Sequence, residues 1–197
     1  MIGLFGMNGV LRAEEPTEDV HRTVIFRLLD ARNGFPTAKQ FLRTGKPAAC
    51  NRILADIVIN QKEKPRYRLN AIRALEYFAT PRSRSVLMEI LYAKRQMPVY
   101  KRASMRALAR AFGANIYMEL LPFLQDLDPR VRVGAAIAMG DIDDVRIEGI
   151  LFNHLPNEKD IRVRDAIEKA VRTLKERKRK KTLLKKKQSA SSRDKGE

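Results

Sequence analysis

The chain has 197 residues, with 40 Lys and Arg against 23 Asp and Glu, a net charge of +17. This length allows one ordinary domain with a buried core, and 44% hydrophobic residues without a Trp make that core one of Leu, Ile, Val, Ala and Met. The single cysteine, Cys50, excludes an intramolecular disulfide, and no apolar run approaches the roughly 18 residues of a bilayer span. The charge excess points to anionic partners: an acidic protein, nucleic acid or an anionic membrane surface.

The first segment, MIGLFGMNGVL, is mildly apolar and runs into RAEEP. It lacks the basic start and small-residue cleavage site of a signal peptide, so residues 1–16 read as a flexible arm. TEDVHRTVIFRLLDA, from Thr17 to Ala31, reads as a helix with Glu18 and Asp19 in its first turn. The run Asn33, Gly34, Phe35, Pro36 breaks it. TAKQFLRTG is a short helix ending at Gly45, and PAACNRILADIVINQ, from Pro47 to Gln61, is a helix with Pro at its start. Residues 17–62 are thus expected to form a helical N-terminal cap.

A repeat follows over residues 63–174. PRYRLNAIRALEYF from Pro65, PVYKRASMRALARAF from Pro98 and PRVRVGAAIAMGDI from Pro129 begin 33 and then 31 residues apart, and IRVRDAIEKAVRTL from Ile161 aligns beneath them. Tyr67, Tyr100, Val131 and Val163 share a column; Arg68, Lys101, Arg132 and Arg164 share the next. Ala74, Ala107, Ala138 and Ala170 share a third, followed by Leu75, Leu108, Met139 and Val171. Val131, Ala135, Ala138 and Met139 lie on one face of an amphipathic helix. Gly113 and Gly140 stand where a left-handed helix cap belongs. A second apolar segment follows each: SVLMEILYA from Ser85, IYMELLPFLQ from Ile116 and VRIEGILFNHL from Val145. The unit is therefore helix, turn, helix in about 32 residues, and stacked units bury what one pair cannot.

The stretch LLPFLQDLDPRVRVGAAIAMGDI, Leu120 to Ile142, resembles the HEAT-repeat family, in particular the HEAT-like repeats of phycobilisome lyases. The match lies in Asp128, Pro129, Val131, Arg132, Ala135, Ala138 and Met139. The first two units lack the Asp before Pro, and the fourth has Asp160 without Pro. The resemblance implies an all-α fold: a right-handed α-solenoid of HEAT-like repeats with a helical cap and a basic tail. It also implies a ladder between repeats, with Asp128 matched to Arg132 and Asp160 to Arg164.

From Lys175 the apolar stripe of Ile167, Ala170, Val171 and Leu174 stops, and KERKRKKTLLKKKQSASSRDKGE takes over. Residues 175–197 read as a basic tail: a helical extension, then disorder from Gln188 onward.

Catalytic signals are poor. His21 and His154 are far apart with no ligand partner at metal spacing, and neither a phosphate-binding Gly loop nor a nucleophile elbow is present. Asp141, Asp143 and Asp144 lack the Gly and distal Glu of a calcium loop and are expected to cap the following helix. Two HEAT-like enzyme groups offer analogies, bilin lyase subunits and alkylpurine DNA glycosylases. The glycosylases rely on tryptophans around an Asp, and this chain has no Trp.

The expected function is a non-enzymatic binding module, cytoplasmic (or nuclear in a eukaryotic host), without cofactor, metal or small-molecule ligand. It would engage an acidic protein through a basic concave face; the alternative is DNA or RNA on the same face and tail. The candidate contact residues are Arg68, Arg73, Lys101, Arg102, Arg106, Arg110, Lys169 and Arg172, and in the tail Arg177, Lys178, Arg179, Lys180 and Lys181. The tail is also a candidate for an anionic membrane surface. The groove reading requires Arg73, Arg106 and Lys169 to share a surface with Arg68 and Lys101.

Overall fold

A computed structural model describes residues 18–31 and 34–193; the expected N-terminal arm, residues 1–16, lies outside them. The described residues are helical without a strand. The helices are α1 (Glu18–Leu29), α2 (Ala38–Leu42), α3 (Pro47–Ile59), α4 (Pro65–Ala74), α5 (Pro81–Tyr92), α6 (Pro98–Phe112), α7 (Tyr117–Leu120), α8 (Pro129–Asp141), α9 (Val145–His154) and α10 (Ile161–Arg193).

Helix starts follow local chemistry. Proline occupies the first turn of α3, α4, α5, α6 and α8, where its missing N–H and fixed φ cost nothing. Thr80, Asp128 and Asp144 accept hydrogen bonds from the first-turn amides of Ser83, Arg130 and Arg146. Gly113 ends α6 at φ +54° and ψ −131°, a positive φ that glycine takes without strain, but not the left-handed helical cap expected of it.

The four aligned helices form one row, in which α4 packs on α6, α6 on α8 and α8 on α10. A second row lies along them. α3 packs on α4, α5 on α6, the 3-10 turn Leu121–Gln125 on α8, and α9 on α10. Of the segments in the second, outer row, each helix of the first, inner row thus touches chiefly the one that precedes it in the chain. The expected boundary after residue 62 falls between α3 and α4, which pack together as α5 and α6 do. α1 packs against both α3 and α4.

One hydrophobic core runs from Ile25 to Leu174. All four alanines of the repeat, Ala74, Ala107, Ala138 and Ala170, are buried, as are Leu75, Leu108, Met139 and Val171. Small side chains at this column let neighbouring inner helices approach closely. One such approach is at Gly140: a Cβ there would lie 2.7 Å from the Ala170 Cβ and 3.2 Å from its Cα.

Three further local expectations are corrected. Gly140 is not a left-handed cap, because α8 continues through it to Asp141 and its lack of a side chain serves the contact with Ala170. The segment from Ile116 is not one helix. It is a 3-10 turn, the single turn α7 and a second 3-10 turn with Pro122 in its first positions. Proline removes an amide donor and clashes with the preceding helical turn. Residues 188–193, expected to be disordered, continue α10 to Arg193. Lys, Arg, Leu, Gln and Ala are good helix formers, and neither Gly nor Pro interrupts the chain between Ile161 and Arg193.

Candidate binding face

The inner row presents one face to solvent, and the repeat decides what stands on it. Arg73, Arg106, Ile137 and Lys169 occupy one register of the four units; Leu69, Arg102, Val133 and Asp165 occupy another. A cavity of about 470 Å³ opens on this face, lined by Arg73 of α4 and by Arg102, Arg106 and Arg110 of α6. Leu69, Val99, Ala107 and Ile137 supply apolar wall between the guanidiniums. A neighbouring cavity of about 400 Å³ shares Arg106 and Ile137 with the first and carries the face on to Lys169 of α10.

The four arginines are held differently. Arg110 bridges two units: its Nη1 donates to Glu76 Oε2 at 3.0 Å and its Nε to Asp141 Oδ2 at 2.9 Å. Arg106 Nε donates to the same Asp141 oxygen at 3.0 Å. Burial works against the Arg110 charge, but Glu76 and Asp141 together hold the guanidinium above its ordinary pKa. Arg73 lies over the Phe35 ring, 4.1 Å from its centroid, and donates to Asn70 Oδ1 at 3.4 Å. Arg102 runs its stem across Gly134 of α8, where a Cβ would lie 2.4 Å from the Arg102 Cγ. Among the described residues neither Arg73 nor Arg102 meets a carboxylate. Both are exposed.

One end of the larger cavity is aromatic. Phe35 and Tyr77 line it, and Phe41 lies between them, with centroids 6.3 and 6.0 Å away. The Tyr77 hydroxyl donates to the Pro36 carbonyl at 3.1 Å, fixing the segment after α1 against the 3-10 turn that follows α4. Burial, and Glu76 beside it, push the Tyr77 phenol above its ordinary pKa.

The remaining candidates lie elsewhere. Arg68 donates to the Val58 carbonyl at 3.1 Å and stacks on Tyr100, its guanidinium carbon 5.1 Å from the ring centroid. Lys101 is half-buried near Phe123, 6.0 Å from its centroid, on the side of the outer row. The two basic columns therefore do not share one groove, so the expected stripe of both fails, and what remains is the smaller face of Arg73, Arg102, Arg106 and Arg110. A helix can present to solvent the side chains at Arg73 and Arg106 or those five residues earlier, but not both on one narrow face. Arg172 and Arg179 line a third cavity, with Phe152, Leu155 and Val171, between α9 and α10. Arg177 donates to the Gly140 carbonyl at 2.8 Å, and Lys181 pairs with Asp143. Lys178 and Lys180 are exposed.

The expected ladder is also corrected. Asp128 pairs with Arg130 and Asp160 with Arg162, two residues on in each case. These carboxylates cap their helices, and an arginine in the first turn reaches back to them more readily than one in the next. The arginine beside Asp160 and the Arg162 amide hold that carboxyl down at about 2. Arg132 instead takes Glu158, and Arg164 is exposed. Of the three aspartates after Gly140, only Asp144 caps α9; Asp141 serves Arg106 and Arg110, and Asp143 serves Lys181.

Sequence reasoning missed Glu76, Asp141 and Phe35 as parts of the face. Asp141 had a signal: it occupies the register of Arg110 one unit later. Phe35 had none, since it comes from the irregular segment after α1. Among the described residues no group of His, Cys, Asp and Glu could hold a metal ion, and no helix is long and apolar enough to cross a membrane. Cys50 is buried, and that burial pushes its thiol up to about 11, far from the reactive thiolate range. Comparison with protein-family models and with curated proteins gives no match for this chain.

Proposed function

We propose that the chain is a HEAT-like α-solenoid, right-handed, that acts as a non-enzymatic binding module and holds an acidic segment of a protein partner on its inner-row face. The observation that carries this reading is the cavity of Arg73, Arg102, Arg106 and Arg110, in which two guanidiniums meet no carboxylate among the described residues. Arg106 and Arg110 are oriented by Asp141 and Glu76, so the site is charged and largely preorganised before a ligand arrives. The solenoid reading is supported by the row of four aligned helices and the second row alongside it.

The lining favours a peptide over a nucleic-acid strand on this face. Aliphatic wall alternates with guanidinium, which suits a chain of acidic and apolar side chains. Phe35, the ring best placed to stack a base, already carries Arg73 on it. The carboxylate of the lining, Glu76, is committed to Arg110, and its phenol, Tyr77, to a backbone carbonyl. What the cavity offers a ligand is positive charge and apolar surface rather than a nucleophile or a proton carrier.

The test is selection from a random peptide library displayed to the full chain, with R73E/R102E selected in parallel. The expected result is enrichment of Asp and Glu interspersed with aliphatic residues, lost in the double variant. Enrichment without acidic residues, or the same acidic peptides retained by R73E/R102E, overturns the reading.

A further inference from the structure

The second half of α10 is a separate surface. Ile167, Val171 and Leu174 form its buried stripe, and at the same helical spacing the next three positions are Lys178, Lys181 and Lys185. The face that faced the core therefore becomes cationic, and the helix leaves the body. From Lys178 to Lys186 every side chain is exposed. Two ties hold the root: Arg177 to the Gly140 carbonyl and Lys181 to Asp143. From Lys178 to Arg193 the rod reaches about 24 Å at ~1.5 Å per residue.

Its charge goes all the way round. With about 100° between successive residues, Lys178 and Lys185 lie on the core-side face, Arg179 on one flank and Lys180 near the opposite face. Leu183 and Leu184 are adjacent, each 59% exposed, and point about 100° apart, so they make no apolar stripe. That excludes the amphipathic face by which an interfacial helix enters a bilayer. A flat acidic protein surface would meet one side of the rod and leave the other cations without a partner.

We infer that the projecting half of α10 is a binding site for duplex DNA, seated in the major groove with cations toward both phosphate walls. A helix with its side chains is about 10–12 Å across, and the major groove of B-DNA is about 12 Å wide. Phosphates line both edges of that groove, which matches charge on opposite sides of one helix. The major groove of A-form RNA is too deep and narrow to take it. The cations stand on every side of the rod rather than in one row toward the groove floor, so the site reads backbone charge and groove shape rather than sequence. This surface is distinct from the inner-row cavity and does not rest on the proposed peptide site.

The experiment measures binding of the full chain to a labelled duplex of about 21 base pairs, two helical turns, at salt from roughly 50 to 200 mM. Two variants divide the rod by face: K178Q/K185Q and R179Q/K180Q. All four positions are exposed and Gln keeps helix propensity; circular dichroism checks that each variant is folded. The wild type is expected to bind with a steep salt dependence, and each pair to lower the log–log slope by about 1.8, two phosphates at ~0.9 each. R73E/R102E is expected to leave duplex binding unchanged, so a failure here and a failure of the peptide reading are distinguishable. The inference is overturned if only one of the two faces matters. It is equally overturned if a single strand of the same length, double-stranded RNA or phosphatidylserine vesicles bind as tightly as the duplex.

Discussion

Arg132 and Glu158 form a two-pronged ion pair across the junction between α8 and the turn before α10, with Nε to Oε2 at 2.8 Å and Nη2 to Oε1 at 2.9 Å. Glu158 is only 6% exposed, yet both its oxygens are used, and Oε1 also accepts the Asp160 amide. Arg132 donates in addition to the Asp126 carbonyl at 2.8 Å. In the first unit Arg68 makes the corresponding reach to the Val58 carbonyl. Arg68 and Arg132 thus tie their inner helices to the end of the outer segment before each, and Arg132 also ties that junction to the fourth unit.

Stability should follow the protonation of Glu158. Hydrogen bonding from Arg132 holds its carboxyl below the usual glutamate value, against the opposing effect of burial. A carboxyl depressed on folding stabilises fully above its unfolded pKa of about 4.3 and loses that contribution as pH falls through the folded value. Glu158→Ala leaves Arg132 half-enclosed without its counter-charge and should cost about 3 kcal/mol at neutral pH. Urea unfolding of wild type and variant at pH 7 and near pH 3 checks this: the gap between their midpoints should shrink at the lower pH. An equal gap at both would show that packing, not charge, sets the cost.

Two glycines inside helices should respond in opposite directions to the same change. Gly140→Ala drives a methyl into Ala170, where a backbone atom lies close behind, so α8 and α10 must separate; overpacking of this kind costs about 1–3 kcal/mol. At Gly149, in α9, no neighbour lies within 4 Å of the place a methyl would take. Gly149→Ala should stabilise by roughly 0.5–1 kcal/mol through helix propensity. Thermal unfolding of the two variants gives the sign directly.

The cavity charge should rise when its internal counter-charge is removed. Asp141→Asn releases both Arg106 and Arg110 from the oxygen they share. These are exposed pairs, so folding stability should change by less than about 1 kcal/mol. Association with acidic peptides should quicken at low salt, and the gain should fade as salt rises. Stopped-flow association rates across a salt series check it. A slower association at low salt would mean that Asp141 serves chiefly to orient the two arginines.

The repeat was readable because its cause is local. Four alanines at matching positions are buried in the core, where a larger residue would crowd the neighbouring helices, so the column stands out in an otherwise diverged chain. The arginine column was visible too, but its partners were not. Glu158 lies 26 residues from Arg132, in a turn whose acids are equally well placed for capping, and spacing alone assigned the turn aspartates instead. The face holding Arg73, Arg102, Arg106 and Arg110 follows from helical register. Its aromatic end does not, because Phe35 is positioned by Tyr77 and the Pro36 carbonyl rather than by any periodic pattern.

Loss of one root tie should loosen the basic rod without unfolding the body. Arg177 Nη1 donates to the Gly140 carbonyl, a group near the C-terminal end of α8 where the helix dipole favours a cation. Arg177→Ala removes a charged donor worth about 1.5–3 kcal/mol in a partly buried setting, and it leaves Val163, Ile167 and Val171 in the core. Lys181 and Asp143 then hold the rod alone, through an exposed pair that contributes little. Amide hydrogen exchange should therefore accelerate from about Lys178 onward while the amides of α8 and of Val163 to Leu174 keep their protection. Uniform acceleration through α10 would show that the rod and the packed half of the helix open as one unit.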